Sequence, residues 1–297
     1  MSNISRRNVI KGIAALPIVA TLDSNVPGAP PEQSKPKPSR LADVGYVWEG
    51  QGFNRYLFPS IYGVGEGVRY FGLNKMVYMY HPNTRVAMEK LTSYSEVICD
   101  ISKWKVRGQE DNSILKYHDG KIETKLEEAR AVSDLSVQFP NVKGGYDDDL
   151  MGMIKKQGYT PDQYAPVYHE LKKKNPNNKL WAVVYSHELE EKQWAQFAPY
   201  MDLISFWIWK KEDLPDLDRH INRCREVFPG KPISMGCYLR DWPSRTAMPA
   251  EMLKHQWERV VKYLQDGLIS QFEIIEGMLI DWYPEPSRWV KDFIAAN

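Results

Sequence analysis

Short apolar runs alternate with longer amphipathic stretches along most of this chain, a pattern that demands β/α units around a parallel sheet. The runs are Lys75–Tyr80, Glu96–Ile101, Val142–Tyr146, Leu180–Ser186, Leu203–Trp209, Pro232–Leu239 and Ser270–Ile275. Leu180–Ser186 is almost wholly apolar, as a strand covered on both faces should be. Between the runs, helical patterning is expected near Thr84–Tyr94, Lys121–Val137, Thr160–Lys174 and Pro249–Asp266. The segment Met278–Ile280 followed by Trp289–Ile294 supplies a weak eighth unit. Seven clear units and one weak one predict an α/β fold of the (β/α)8 TIM-barrel type with an N-terminal extension. An open dinucleotide-binding sheet is disfavoured, because no GxGxxG joins a first strand to a helix; Gly63, Gly65 and Gly67 precede the first clear run and read as a loop.

The N-terminal quarter has a different character. Ser5-Arg6-Arg7-Asn8-Val9-Ile10-Lys11 and the mildly apolar Gly12–Leu22 have the form of a twin-arginine export signal, too short to anchor in a bilayer. From Asp23 the composition turns to Pro, Ser, Gly and Lys. The expected organisation is a signal over 1–25, a Pro-rich linker over 26–42, an extension or cap over 43–74 and the barrel over 75–297. That predicts a periplasmic or secreted protein with no stable membrane anchor once the signal is removed. Removing residues 1–25 takes away Arg6, Arg7, Lys11 and Asp23, so the formal charge of +1 becomes −1. Near-neutrality gives no global electrostatic case for a nucleic-acid partner. Cys99, Cys224 and Cys237 form no CxxC, and no histidines stand at zinc-ligand spacing, so no metal, cofactor or catalytic thiol is expected.

In such a barrel the residues just beyond each strand carry the chemistry. They are Asp147 and Asp148, His187 and Glu188, Trp207 and Trp209, Tyr238 with Arg240 and Asp241, and Glu273 or Glu276. Two carboxyl groups across a pocket are the minimum apparatus for glycoside hydrolysis. Glu188 is expected as acid/base and Glu276 as its partner. Strand alternation separates Phe272, Ile274 and Glu276 from Gln271, Glu273 and Ile275, and Glu276 is preferred for its nearness to the strand's exit. Asp147, Asp148, His187, Arg240 and Asp241 would contact sugar hydroxyls or tune acidity, while Trp207, Trp209 and Tyr238 would stack on a carbohydrate ligand. The chain's 10 Trp and 17 Tyr against 9 Phe favour such half-wet apolar surfaces.

The phrases Leu180-Trp181-Ala182-Val183-Val184-Tyr185-Ser186-His187-Glu188-Leu189, Met201-Asp202-Leu203-Ile204-Ser205-Phe206-Trp207-Ile208-Trp209 and Gly236-Cys237-Tyr238-Leu239-Arg240-Asp241-Trp242 resemble a group of exported bacterial (β/α)8 barrels, glycoside-hydrolase-like and of unassigned activity. The likeness extends from about Asn74 to the C-terminus. It implies the barrel and a carbohydrate-active role, and it transfers no catalytic residue. Two other readings fit the same residues: a non-catalytic glycan-binding accessory protein, and a metal-assisted lyase or hydrolase using Asp147, Asp148 and Glu188 on a hard cation.

Overall fold

Eight parallel strands close into a barrel in a computed structural model that describes residues 40–50, 60–102, 104–110, 113–118, 120–275 and 277–297. The strands are β1 (Gly45–Glu49), β2 (Lys75–Tyr78), β3 (Glu96–Asp100), β4 (Val142–Asp147), β5 (Lys179–Tyr185), β6 (Leu203–Trp207), β7 (Ile233–Tyr238) and β8 (Gln271–Ile275). Each pairs with its neighbours in chain order, and β1 joins β8 through Gly45 opposite Phe272 and Trp48 opposite Ile275. This is the expected (β/α)8 TIM barrel. Most strand residues are buried, because the barrel interior covers one face and the helices the other. The helices expected between strands are present as Arg85–Lys90, Ile122–Gln138, Pro161–Lys172 and Ala250–Gln265. Thr160 starts the third with a capping box: its hydroxyl accepts from Gln163 N (3.4 Å), and Gln163 Oε1 accepts from Thr160 N (2.8 Å). Among the described residues no helix is long and apolar enough to cross a membrane.

The strand count differs from the sequence reading in one respect that moves every strand number. Gly45–Glu49, expected within an extension or cap, is the first barrel strand, and Leu41–Val44 form a helical turn with Leu41 buried. Met278–Ile280, expected as the eighth strand, holds no strand: Gly277–Leu279 are a 3-10 turn. The physical reason is closure, since only β1 can satisfy the open edges of both β2 and β8. Glu188 therefore follows the fifth strand rather than the fourth, and β8 is the strand that leads to Glu276.

Glu49 ends β1 as a charged residue only 2% exposed. Its Oε1 accepts from Val68 N (2.8 Å), and the amides of Gly65 and Gly67 also face it. Burial nonetheless pushes its carboxyl up to about 7. A Cβ at Gly67 would come within 2.7 Å of Glu49 Oε1 and 2.5 Å of Gly277 Cα. The glycine-rich stretch is thus a close-fitting loop that receives a buried acid.

Outside β4, Asp147 meets Lys125 of helix Ile122–Gln138 in a pair whose side chains are both fully buried. Asp147 Oδ2 also accepts from Tyr164 OH of helix Pro161–Lys172 (2.9 Å). One carboxylate therefore ties a strand to the two helices that flank it. Lys125→Met is expected to cost about 3–5 kcal/mol in urea unfolding, because it leaves Asp147 buried without its cation. Glu49 supplies a pH dependence of its own. Its carboxyl holds its proton to higher pH in the folded chain than in the unfolded one, so its stabilising contribution is full below about pH 4.5 and is lost as pH rises through about 7. Glu49→Gln should flatten thermal stability across that window, by up to roughly 3 kcal/mol at 1.36 kcal/mol per pH unit.

Candidate active site

The carboxyl ends of the strands open into a cavity of about 660 Å³. Its walls are Trp48, Tyr80, Tyr146, Asp148, Asp149, Tyr185, His187, Glu188, Trp207, Trp209, Lys210, Asp213, Tyr238, Trp242 and Ile275. The size and the mixture of apolar rings with a few convergent acids suit a small organic ligand. Six of the residues expected from the sequence meet here: Asp148, His187, Glu188, Trp207, Trp209 and Tyr238.

Three of the acids, Asp148, Asp149 and Glu188, come from the ends of β4 and β5, while Asp213 follows β6. Alternation turns Tyr146 inward, Asp147 outward and Asp148 into the cavity. Asp149 follows at φ +48°, a left-handed conformation that Asp tolerates better than most residues, and it immediately precedes helix Leu150–Gln157 without a side-chain cap. Its amide donates to Asp148 Oδ1 (3.0 Å), and its own Oδ1 accepts from Tyr185 OH (2.9 Å). Burial, followed by the neighbouring charges of Asp149 and Asp100, raises the Asp148 carboxyl well above the usual carboxylate range. Glu188 ends a 3-10 turn, and its Oε2 accepts from Tyr185 N (3.2 Å). Burial raises its carboxyl too, against the lowering effect of that amide. His187 stacks on the Tyr185 ring at 5.6 Å; burial and then the charge of Lys210 push its imidazole down, towards the neutral form.

The rings line the other walls. Trp209 and Trp242 lie nearly parallel, 14° apart at 6.3 Å, and Trp209 meets Tyr185 edge-on at 5.6 Å. Trp207 packs against Tyr238 at 5.0 Å and lies across Gly236, where a Cβ would be 2.0 Å from its indole. Tyr80 adopts φ +62°, an outlier for a bulky residue, and its amide donates to Asp100 Oδ2 (3.2 Å). Asp100 is itself held by Ser102, through the amide (2.8 Å) and the hydroxyl (2.6 Å). A fixed carboxylate thereby stabilises a strained backbone, and strain of about 1–3 kcal/mol is common at ligand sites.

Three expected site residues take other positions. Asp147 is engaged with Lys125 and Tyr164 outside the barrel, because it falls on the outward parity of β4. Asp241 does not line the cavity; it accepts from Lys211 Nζ (2.8 Å) and Ser244 N (3.2 Å). Burial works against its charge, but these donors prevail and hold the carboxyl below its usual range. Arg240 places its guanidinium 3.9 Å from the centre of the Trp242 ring, so it supports a wall instead of lining one. Glu276 lies outside the described residues. On β8 the inward face carries Glu273 and Ile275, while Phe272 packs outward on Trp257 at 5.1 Å. Because Asp147 and Asp148 face opposite sides, Asp147, Asp148 and Glu188 do not converge. Among the described residues, no group of three or more His, Cys, Asp or Glu is spaced to hold a metal ion.

The wall residues missed in the sequence are instructive. Tyr185 is the last inward position of its strand, and Trp48 belongs to the strand placed in the extension. Asp213 and Lys210 lie in the segment after β6 and carry no local signature.

Comparison with protein families and with curated proteins finds no match. Solved structures do match in fold. The chain is similar to a β-glucuronidase from Bacteroides uniformis (TM-score 0.52, 10% identity), over 81% of this chain and 30% of that one. It is also similar to a family 18 chitinase from Crocus vernus (0.51, 9%), over 85% of this chain and 98% of that one. A third match is a GH2 β-galacturonidase from Eisenbergiella tayi bound to galacturonate (0.51, 13%), over 78% and 46%. The chain thus spans less than half the length of both uronidases. At these identities the likeness is one of fold: a TIM barrel of the kind found in glycoside hydrolases.

Gly236 tests how the wall is built. Gly236→Ala is expected to displace Trp207, cost about 1–3 kcal/mol by overpacking, and change the near-ultraviolet circular dichroism of the cavity's rings.

Proposed function

We propose that this protein is a carbohydrate-active hydrolase that cleaves a glycosidic bond in the cavity at the barrel mouth. The observation that carries the reading is the meeting of two kinds of side chain in one cavity: the parallel rings of Trp209 and Trp242, and the acids Asp148 and Glu188. Rings of this size match the apolar face of a pyranose, and a pair of carboxyl groups with separated acidities can divide proton donation from charge stabilisation. The solved structures of like fold, which include glucuronidase, chitinase and galacturonidase, support a sugar as ligand.

Asp148 is the proton donor in this reading. Burial beside Asp149 and Asp100 makes its carboxyl hold a proton well above the usual carboxylate range, so it can deliver one to the departing glycosidic oxygen. Glu188, anchored by the Tyr185 amide, is the partner carboxylate that acts as nucleophile or activates water. Asp149 keeps Tyr185 in place and, as a neighbouring negative charge, helps hold the proton on Asp148. His187, neutral and stacked on Tyr185, and Tyr238 are placed to contact sugar hydroxyls. Export along the twin-arginine route is part of the same proposal. It rests on Ser5–Lys11 and the apolar run behind them, which lie outside the described residues.

A panel of aryl glycosides assayed with the wild type, Asp148→Asn and Glu188→Gln tests the reading. Each variant should lose about 10²–10⁴-fold in kcat/KM on any glycoside the wild type cleaves. The wild-type rate should rise with pH as Glu188 ionises and fall as Asp148 loses its proton, and Asp148→Asn should abolish the alkaline fall. Full activity in both variants would refute the assignment. Binding of glycans without turnover of any would instead favour the accessory-protein reading.

A further inference from the structure

Below the rings that line the cavity lies a sealed polar cluster that the reaction above does not use. Glu273, on the inward face of β8, is completely buried, as is Ser205 of β6. Three side chains close a hydrogen-bonded ring through four oxygens: Tyr146 Oη to Glu273 Oε2 at 2.9 Å, Ser205 Oγ to Glu273 Oε1 at 2.8 Å, and Tyr146 Oη to Ser205 Oγ at 2.8 Å. The indole N–H of Trp207 donates to Ser205 Oγ from above, at 2.8 Å. Tyr146 and Trp207 both line the cavity. One carboxyl group thus holds a ring from β4 directly and a ring from β6 through a serine.

Counting protons decides the state of this cluster. Three short oxygen–oxygen contacts need three protons, and the two hydroxyls supply two. If Glu273 were ionised, both hydroxyls would point at it, and Tyr146 and Ser205 would face each other at 2.8 Å with no proton between them. If Glu273 is neutral, its own proton completes the ring. Ser205 then donates once and accepts twice, from Trp207 and from one member of the ring, which fills an hydroxyl's capacity. The hydroxyl of Ser234, also against the carboxyl, does not alter this count, because it adds no proton between Tyr146 and Ser205. We propose that Glu273 is the positioning residue of the cavity floor, and that its carboxyl proton closes the hydrogen-bonded ring that sets Tyr146 and Trp207.

The surroundings agree. The titratable groups that face Glu273 are Tyr46 from β1, Tyr146 from β4, and Cys237 and Tyr238 from β7, each pushed up by burial and so neutral; none is a cation. Burial pushes Glu273 itself up to about 7, against the hydrogen bonds it accepts. Loss of the proton near neutral pH therefore unlocks the Tyr146–Ser205 contact and with it the seat of the Trp207 indole.

The inference rests on the proposed function only in taking the cavity as the ligand site. Its test needs no substrate, so the two readings fail separately. The full chain is labelled with 5-fluorotryptophan, and the Trp207 resonance is assigned with Trp207→Phe. The fluorine spectrum and the infrared carboxyl band are then followed from pH 5 to 9. The wild-type Trp207 resonance should move with a midpoint near 7, together with loss of a protonated-carboxyl band. In Glu273→Gln, whose amide can donate to one hydroxyl and accept from the other, the resonance should stay at its low-pH position and the carboxyl intensity lost near pH 7 should shrink to the part that Glu49 contributes. In Glu273→Leu it should be displaced at every pH. A wild-type resonance indifferent to pH, or an unchanged titration in Glu273→Gln, would overturn the proposal. These two measurements suffice even if Glu273→Leu does not fold.

Discussion

The parity of β4 at its carboxyl end governs the whole site. Tyr146 must face inward to reach Glu273 and Ser205, Asp147 outward to meet Lys125, and Asp148 inward again to enter the cavity. The buried Lys125–Asp147 pair is what makes this parity expensive to change. A slip by one residue would bury Lys125 without a partner and push Asp147 into the acids of the cavity. The glycines at 144 and 145 have no side chains with which to fix the register of β4, so the inward hydrogen bonds of Tyr146 and the outward ion pair of Asp147 do that work.

The strands from β2 to β8 were legible because both faces of each are covered, which writes them as apolar runs. Gly45–Glu49 was not, because it is five residues long and ends on a glutamate whose burial depends on the amides of residues 65–68. Nothing local announces that a charged residue will be met by a distant loop. Leaving it in the extension also shifted the strand count by one, so Glu188, which does line the cavity, follows the fifth strand and not the fourth.

At the site, looking just past each strand's end found Asp148, Glu188 and the rings, since that rule depends only on where apolar runs stop. It did not separate Asp147 from Asp148. Their difference is one of facing, set by Lys125, which in sequence sits among Glu123, Glu127 and Glu128 and reads like a residue of a solvated helix face. Asp241 and Arg240 misled for a related reason. They follow β7 directly but enter a short ribbon with Thr246–Ala247, where Lys211, Ser244 and the Trp242 ring claim their side chains. Glu273 carried a visible signal, a lone acid inside an apolar strand, whose meaning depends on hydroxyls supplied by β4 and β6.

The distribution of cations explains why a nearly neutral chain can raise two inward carboxyl groups above the usual carboxylate range. Lys125 is spent outside the barrel on Asp147, and Lys211 is spent on Asp241. Among the described residues that line the cavity the only Lys or Arg is Lys210, which is exposed and whose charge is felt at His187. Asp148 and Glu273 are therefore left to burial and to uncharged hydroxyl or amide partners, both of which permit a neutral carboxyl. Moving one of those cations to the inner face would ionise the acids it reached, and with them would go the proton that Asp148 can donate and the proton that closes the ring beneath Trp207. Structural ion pairs outside the barrel and proton-bearing acids inside it are thus two results of one allocation of charge.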